Sequence, residues 1–466
     1  MKRVLAFVLA FVMVLSMAAC GKKATEETTT TAAETTTTTA AEEEIIEGGD
    51  DLPVFDFDSM GYDDYCAAAM DDEVTVLCYV QATQSWWDDK ITVYAADEDG
   101  AYFIYEMSCS EEDAAALVPG ACIIVSGYKS EWAGEVEIVD ASFVLLEGFT
   151  DPYVAEAADA TDKIGDDEAL LAIQNQLVSF KGMTVESVSY KNDEPGDDIY
   201  LTVSKNGVKC DFCLEYYLNG SDEALYNAVG SLEAGQIVDI EGFLYWYNGM
   251  NPHITKVEVT GDVNAKSEGV MSYDEFIAAA VDDEVVIEAY VQATQSWWDN
   301  KITVYAADAE GGYFIYELAC DEADAEKLVP GAKIKVSGYK GEWSGEIEVV
   351  DATFELVEDG TEYVAPAVDA TGAEDLAAYM NQKVMITDMT VSSVAYKNDQ
   401  PGDDIYVTLT RDGVTYEFCL EYYLNGSDEE FYNRIGGLEE GAVVDVEGFM
   451  YWYNGPNMHI TGITVK

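Results

Sequence analysis

The chain has 466 residues, 91 acidic against 23 basic, for a net charge of −68, and it is 12% aromatic with 31 tyrosines. The length provides for several domains, and the aromatic content excludes a wholly disordered acidic chain. The charge repels polyanions and argues against nucleic-acid binding driven by phosphate neutralisation, which needs clustered Lys and Arg.

Met1-Lys2-Arg3 is a short basic start, and Val4 to Ala19 is almost wholly apolar and ends in small residues. Residues 1–19 therefore read as a signal peptide, too short for a membrane span. Ser16-Met-Ala-Ala-Cys20, followed by Gly21-Lys-Lys23, resembles the lipobox of bacterial lipoproteins. The resemblance implies cleavage before Cys20, lipid on its thiol, and residence on the extracellular face of the bacterial membrane. From Lys23 to Glu44 the chain is mostly Thr, Ala and Glu, with nothing to build a core. Residues 20–57 are expected to be a disordered, lipid-anchored tether.

The remainder is a duplication. Residues near 60–147 match 271–358 at an offset of 211, and residues near 168–259 match 374–465 at an offset of 206. Four units follow, at 58–150, 166–260, 269–358 and 373–466, joined by Ala-, Asp-, Thr- and Gly-rich linkers. In the first unit, Tyr62 to Met70 suits a short helix. Val74–Ala82, Ile91–Ala95 and Tyr102–Met107 read as strands. Ser110 caps a short helix that Pro119-Gly120 ends, and Cys122–Tyr128 and Val136–Val144 complete the unit. The second unit repeats this order with strands at Val185–Tyr190, Ile199–Ser204, Asp211–Tyr217, Ile237–Leu244 and His253–Val259. A helix capped by Ser221 or Asp222 lies between its third and fourth strands.

This β-β-β-α-β-β order resembles the OB-fold, a five-stranded Greek-key barrel with a helix between strands three and four. Phrases such as Leu117-Val-Pro-Gly120 followed by Val125-Ser-Gly-Tyr128 are similar to OB-type repeats in surface lipoproteins of Gram-positive bacteria. The resemblance implies an all-β fold with short helices, four tandem barrels in two duplicated pairs, and a binding module rather than an enzyme.

Tyr79-Val-Gln-Ala-Thr-Gln-Ser-Trp-Trp-Asp88 recurs letter for letter as Tyr290 to Asp299, although the helical segment after the third strand has drifted between copies. Trp86, Trp87, Trp297 and Trp298 fall between strands one and two. Trp132, Trp246, Trp343 and Trp452 fall between strands four and five, where Tyr245, Tyr247, Tyr451 and Tyr453 flank two of them. In OB-folds these loops flank the face that binds oligonucleotides or oligosaccharides. All twelve residues are candidate ligand contacts for a cell-envelope glycan or a protein. Single-stranded nucleic acid is the alternative that the fold invites and the charge opposes. A structural spacer, in which the indoles only pack, is the third reading.

Other features are weaker. Asn192, Asp193, Asp197 and Asp198 surround a Pro-Gly turn and have the oxygens for calcium, but a solvated acidic turn fits as well. His253 and His459 occupy equivalent places without companion ligands and are expected at the surface. Apart from Cys20, the cysteines do not follow the repeat as a set and read as small half-buried residues. No catalytic, metal or cofactor motif is found. Lys333-Ile-Lys-Val336 alternates, so its lysines are expected to face water. Its partner Cys122-Ile-Ile-Val125 puts Cys122 and Ile124 on that face, which is expected to be covered in the first unit, for example by a neighbouring unit.

Overall fold

A computed structural model describes residues 59–146 and 152–466. The signal peptide, Cys20 and the whole of the tether lie outside the described residues. Barrel 1 consists of β1 (Glu73–Thr83), β2 (Lys90–Ala96), β3 (Ala101–Ser108), β4 (Cys122–Trp132) and β5 (Glu135–Leu145). They close in the order β1-β2-β3-β5-β4. Only the β3–β5 pairing, Phe103 against Glu137, is parallel. A helical turn, Glu111–Ala114, joins β3 to β4, with the Ser110 hydroxyl accepting from Asp113 N–H at 3.1 Å. This is the OB-fold connectivity.

The strands form for the reason their alternation suggests. Val74, Val76, Cys78 and Val80 point inward along β1 and are fully buried. A bulge between Val80 and Ala82 then bends the strand, so its first part pairs with β4 and its end with β2.

Barrel 2 adds a two-residue edge strand from the linker, β6 (Ala158–Asp159), to β7 (Leu177–Tyr190), β8 (Ile199–Lys205), β9 (Val208–Leu214), β10 (Gln236–Phe243) and β11 (His253–Asp262). Pairing of β7 with β10 closes it. Asp222 caps the helix Glu223–Gly230. Barrel 3 repeats barrel 1 with β12 (Glu284–Thr294), β13 (Lys301–Ala307), β14 (Gly312–Ala319), β15 (Lys333–Trp343) and β16 (Glu346–Leu356). Barrel 4 repeats barrel 2 with β17 (Val368–Asp369), β18 (Lys383–Tyr396), β19 (Ile405–Arg411), β20 (Val414–Leu420), β21 (Val443–Phe449) and β22 (His459–Val465). Each barrel has its own apolar core. Among the described residues no helix is long and apolar enough to cross a membrane.

Barrels 1 and 2 are docked, as are barrels 3 and 4. Tyr94 points outward from β2 yet is buried, because Phe243 of barrel 2 stacks on it with ring centroids 4.4 Å apart. The Tyr94 hydroxyl is hydrogen-bonded to His253 Nδ1, and Tyr245 stacks on that imidazole at 4.3 Å. Tyr305, Phe449, His459 and Tyr451 repeat the arrangement, with Tyr305 Oη and His459 Nδ1 2.8 Å apart. The histidines are therefore interior groups, not the surface residues expected. Burial lowers His253 to about 3 and His459 to about 4.

Glu135 is buried at the same junction. It accepts from Trp246 N–H at 2.8 Å and Gln174 Nε2 at 3.1 Å, and burial pushes its carboxyl up to about 8. Glu346 accepts from Trp452 N–H at 2.7 Å, and burial likewise pushes its carboxyl up to about 8.

Two expectations about β4 and β15 divide. Ile124 is buried with Cys122, as expected, and packs with Leu77, Tyr79 and Leu146 of its own barrel. Lys333 does not face water. It is buried, and its ammonium donates to Asp359 at 2.8 Å and to the carbonyl of Ala265 in the linker between the halves at 3.1 Å. Lys335 is partly covered beside Glu288. Period-two alternation marks an outward face, and here the linker covers that face. Of the cysteines described, only Cys66 is exposed, and all are free thiols.

Candidate functional site

The Trp-Trp turn is built by a two-residue hairpin loop. Trp87 and Lys90 exchange both backbone hydrogen bonds, at 3.0 and 2.9 Å, around Asp88 and Asp89, whose φ values are +47° and +60°. Two central residues with positive φ are what a hairpin loop of this twist demands, and Asp tolerates that conformation. Consecutive side chains then diverge. Trp86 turns in against the core, its Nε1–H donating to the Cys109 carbonyl at 2.8 Å. Trp87 turns out and is 54% exposed. Trp297 and Trp298 divide identically, with Trp297 bonded to the Cys320 carbonyl and Trp298 58% exposed.

Trp87 forms one wall of an open groove of about 390 Å³. Gln84, Ser85, Thr92, Tyr105 and Glu106 of barrel 1 supply the rest, except for Tyr217, which comes from barrel 2. Ser85 fixes that contribution, because its N–H and hydroxyl both donate to the Tyr217 carbonyl, at 2.7 and 3.1 Å. Tyr217 sits on the short helix Tyr216–Asn219, capped by Glu215. In the second half the groove recurs at about 380 Å³, with Trp298, Tyr316 and Tyr423 in the same places and Ser296 bonded to the Tyr423 carbonyl. All six rings are exposed. Both volumes fall in the range of small-ligand sites.

One cation enters each groove region, and it is already paired. Lys90 Nζ lies 2.6 Å from Glu106 Oε2 and 5.7 Å from the Trp87 ring centroid. The hydrogen bond to Glu106 raises the Lys90 pKa, so it stays charged and compensated. Lys301 and Glu317 repeat the pair at 2.6 Å. The groove thus offers aromatic faces, amide and hydroxyl groups and a neutral ion pair.

The remaining expected residues separate into two groups. Trp132, Trp343, Tyr247 and Tyr453 are exposed but do not line either groove. The others are packing groups. Trp246 is buried in the core of barrel 2. The tip of the β4–β5 hairpin lies on it, so that a methyl group placed on Gly134 would meet its ring at 2.5 Å. Trp452 packs on the core of barrel 4, and Tyr245 and Tyr451 cover the buried histidines. Among the described residues no indole stacks on another. Sequence reasoning missed Tyr105, Tyr217 and their repeats. A signal was present, since Glu215-Tyr-Tyr-Leu-Asn-Gly-Ser-Asp222 recurs unchanged as Glu421 to Asp428.

Asn192, Asp193, Asp197 and Asp198 lie on an exposed turn in which Lys191 Nζ pairs with Asp197 at 3.1 Å and Asp198 at 2.9 Å. Tyr226 fastens the same turn by accepting from Gly196 N–H and donating to the Asp197 carbonyl. Among the described residues no group of three or more His, Cys, Asp or Glu side chains is arranged to hold a metal.

Compared with known families and with curated proteins, the chain matches none. Solved structures do match, at low similarity. One is a replication protein A heterotrimer bound to ssDNA, 9% identical, covering 62% of this chain and 94% of that one with a TM-score of 0.20. Another is the HINb domain of p204, 12% identical, covering 38% and 96% with a TM-score of 0.17. A third is a murine DNA binding protein bound with ds DNA, 10% identical, covering 39% and 98% with a TM-score of 0.16.

Proposed function

We propose that the chain is a non-catalytic binding protein whose two grooves take an uncharged, flat-faced ligand, a cell-envelope glycan in particular. The observation that carries this reading is the triad Trp87, Tyr105 and Tyr217, exposed around a polar floor and repeated as Trp298, Tyr316 and Tyr423. The apolar face of a sugar ring suits such walls, and its hydroxyls suit Gln84, Ser85 and the Lys90–Glu106 pair. Exposed aromatics held by a rigid frame lose little entropy on binding. The sequence before Cys20 supports a lipid anchor that holds the grooves at the outer face of a membrane, and Cys20→Ala should release the protein into the medium.

Single-stranded nucleic acid is the competing ligand, since bases also stack on aromatic faces. The compensated lysine and the net charge of −68 disfavour it. Affinity electrophoresis through cell-wall polysaccharides, and in parallel through single-stranded DNA, tests both. Retention by polysaccharide that Trp87→Ala/Trp298→Ala abolishes supports the glycan reading. Salt-sensitive retention by DNA alone would replace it. Retention by polysaccharide that survives the double substitution would remove the grooves from the site.

A further inference from the structure

The contact between the two halves of the chain is a template for a contact between two chains. Barrel 3 meets barrel 2 through one face. Tyr290 and Tyr363 form an edge-to-face pair at 5.7 Å and are sealed by Ile237 and Val263. Beside them Val364 lies over the β8–β9 turn, 3.5 Å from where a methyl group on Gly207 would sit. The strap carrying Tyr363 and Val364 is held by Gln292, which donates to the Tyr363 carbonyl at 3.1 Å and accepts from Ala365 N–H at 2.8 Å.

Because the halves are duplicates, each half of this contact exists a second time. Barrel 1 carries the barrel 3 side already assembled. Tyr79 and Tyr153 make the same edge-to-face pair at 5.8 Å, and Gln81 holds the strap by the same two bonds, at 3.2 and 2.8 Å. Here, however, Val154, the counterpart of Val364, is 54% exposed. Barrel 4 carries the barrel 2 side. The turn Asp412-Gly413 has positive φ at both residues, as Asn206-Gly207 does, but Gly413 has open space around it. Val443 stands in the place of Ile237 and is 38% exposed, against 8% for Ile237. Arg411 replaces Lys205, and its Nη1 is buried without a hydrogen-bond partner.

We propose that barrel 4 of one copy docks on barrel 1 of the next by the geometry that joins barrels 2 and 3. Such a contact is heterologous, so it leaves one free face at each end and grows an open series of copies rather than closing as a dimer. On a surface to which the chain is anchored it would string the grooves of many copies into a row. Two factors weaken it relative to the internal contact. No short covalent linker joins the two partners, and chains of charge −68 repel one another. Association should therefore depend on concentration and rise with salt, which screens the repulsion.

The test is sedimentation velocity of the full-length chain carrying Cys20→Ala, so that lipid plays no part. The series should span about 10 µM to 1 mM, because the millimolar effective concentration supplied by a short linker is absent between copies, and should be run at low and high salt. The expected result is an average mass that climbs with concentration past two copies, more steeply at high salt. Val154→Asp spoils the barrel 1 end and Val443→Asp the barrel 4 end, and each substitution lies at the surface. Each variant alone should stay monomeric. An equimolar mixture should form capped dimers and nothing larger, because one intact end of each kind remains. A chain that is monomeric throughout would overturn the proposal. So would association that either substitution leaves intact, or a mixture that forms no dimers while the unsubstituted chain associates.

Discussion

Trp86 and Trp87 are adjacent and chemically identical, yet their removal should have opposite consequences. Truncating a buried Trp or Phe to Ala costs about 3–5 kcal/mol. Trp86 is half-buried on the core of barrel 1 and donates one hydrogen bond to the Cys109 carbonyl. Losing that packing and that bond should cost barrel 1 about 2–3 kcal/mol. Trp87 is 54% exposed, and its main contact is the Lys90 ammonium at 5.7 Å from the ring centroid. An exposed cation–π contact is worth about 0.5–1 kcal/mol, which bounds the loss of stability for Trp87→Ala. Four separate cores make a single unfolding free energy ill-defined, so amide hydrogen exchange read barrel by barrel is the suitable assay. Trp86→Ala should speed exchange in β1 to β5 by about 30- to 150-fold and leave β12 to β16 unchanged. Trp87→Ala should change exchange by less than about fivefold while weakening ligand retention. Equal loss of protection in the two variants, or none in either, would refute the assignment of one indole to the core and the other to the groove.

Two further predictions concern buried ionisable groups. His253 and His459 are held neutral, so their contribution to docking is complete above the ordinary histidine value and is lost as pH falls toward about 4 and then 3. Glu135 and Glu346 are raised to about 8, so their contribution is complete below the ordinary carboxyl value and is lost as pH rises through about 8. Glu135→Gln/Glu346→Gln should therefore gain thermal stability relative to the unsubstituted chain as pH increases, and the difference in melting temperature across a pH series measures this. Separately, Lys129 Nζ donates to the carbonyls of Tyr65, Cys66 and Ala68 at 2.8–2.9 Å, closing the end of the first helix. Lys129→Met takes this donor from all three carbonyls, of which Tyr65 keeps the Ala68 N–H at 3.2 Å, and should destabilise barrel 1 by about 2–3 kcal/mol, read by the same exchange measurement.

The barrels were legible in the sequence because their causes are local. Period-two burial along Val74, Val76, Cys78 and Val80, the Ser110 cap and the Pro119-Gly120 stop all act within a few residues, and the duplication marks each unit twice. What was not legible lies where one barrel meets another. Trp246 has the composition of a binding residue, but the Gly134 hairpin of the preceding barrel lies on it. His253 opens a strand as a surface residue would, but Tyr94 reaches it across the junction. Lys333 alternates outward, and the linker between the halves covers it. The groove has the same origin. Its Trp87 wall belongs to the repeated turn, whereas Tyr217 is 130 residues away in sequence and arrives only through docking, clamped by Ser85.

The most direct test follows the eight indole N–H resonances of isotope-labelled protein during titration with a soluble cell-wall oligosaccharide. Shifts confined to Trp87 and Trp298, and lost in Tyr217→Ala/Tyr423→Ala, are the predicted result for two grooves each built by a pair of barrels. Shifts at Trp132 and Trp343 with Trp87 and Trp298 unmoved would contradict it.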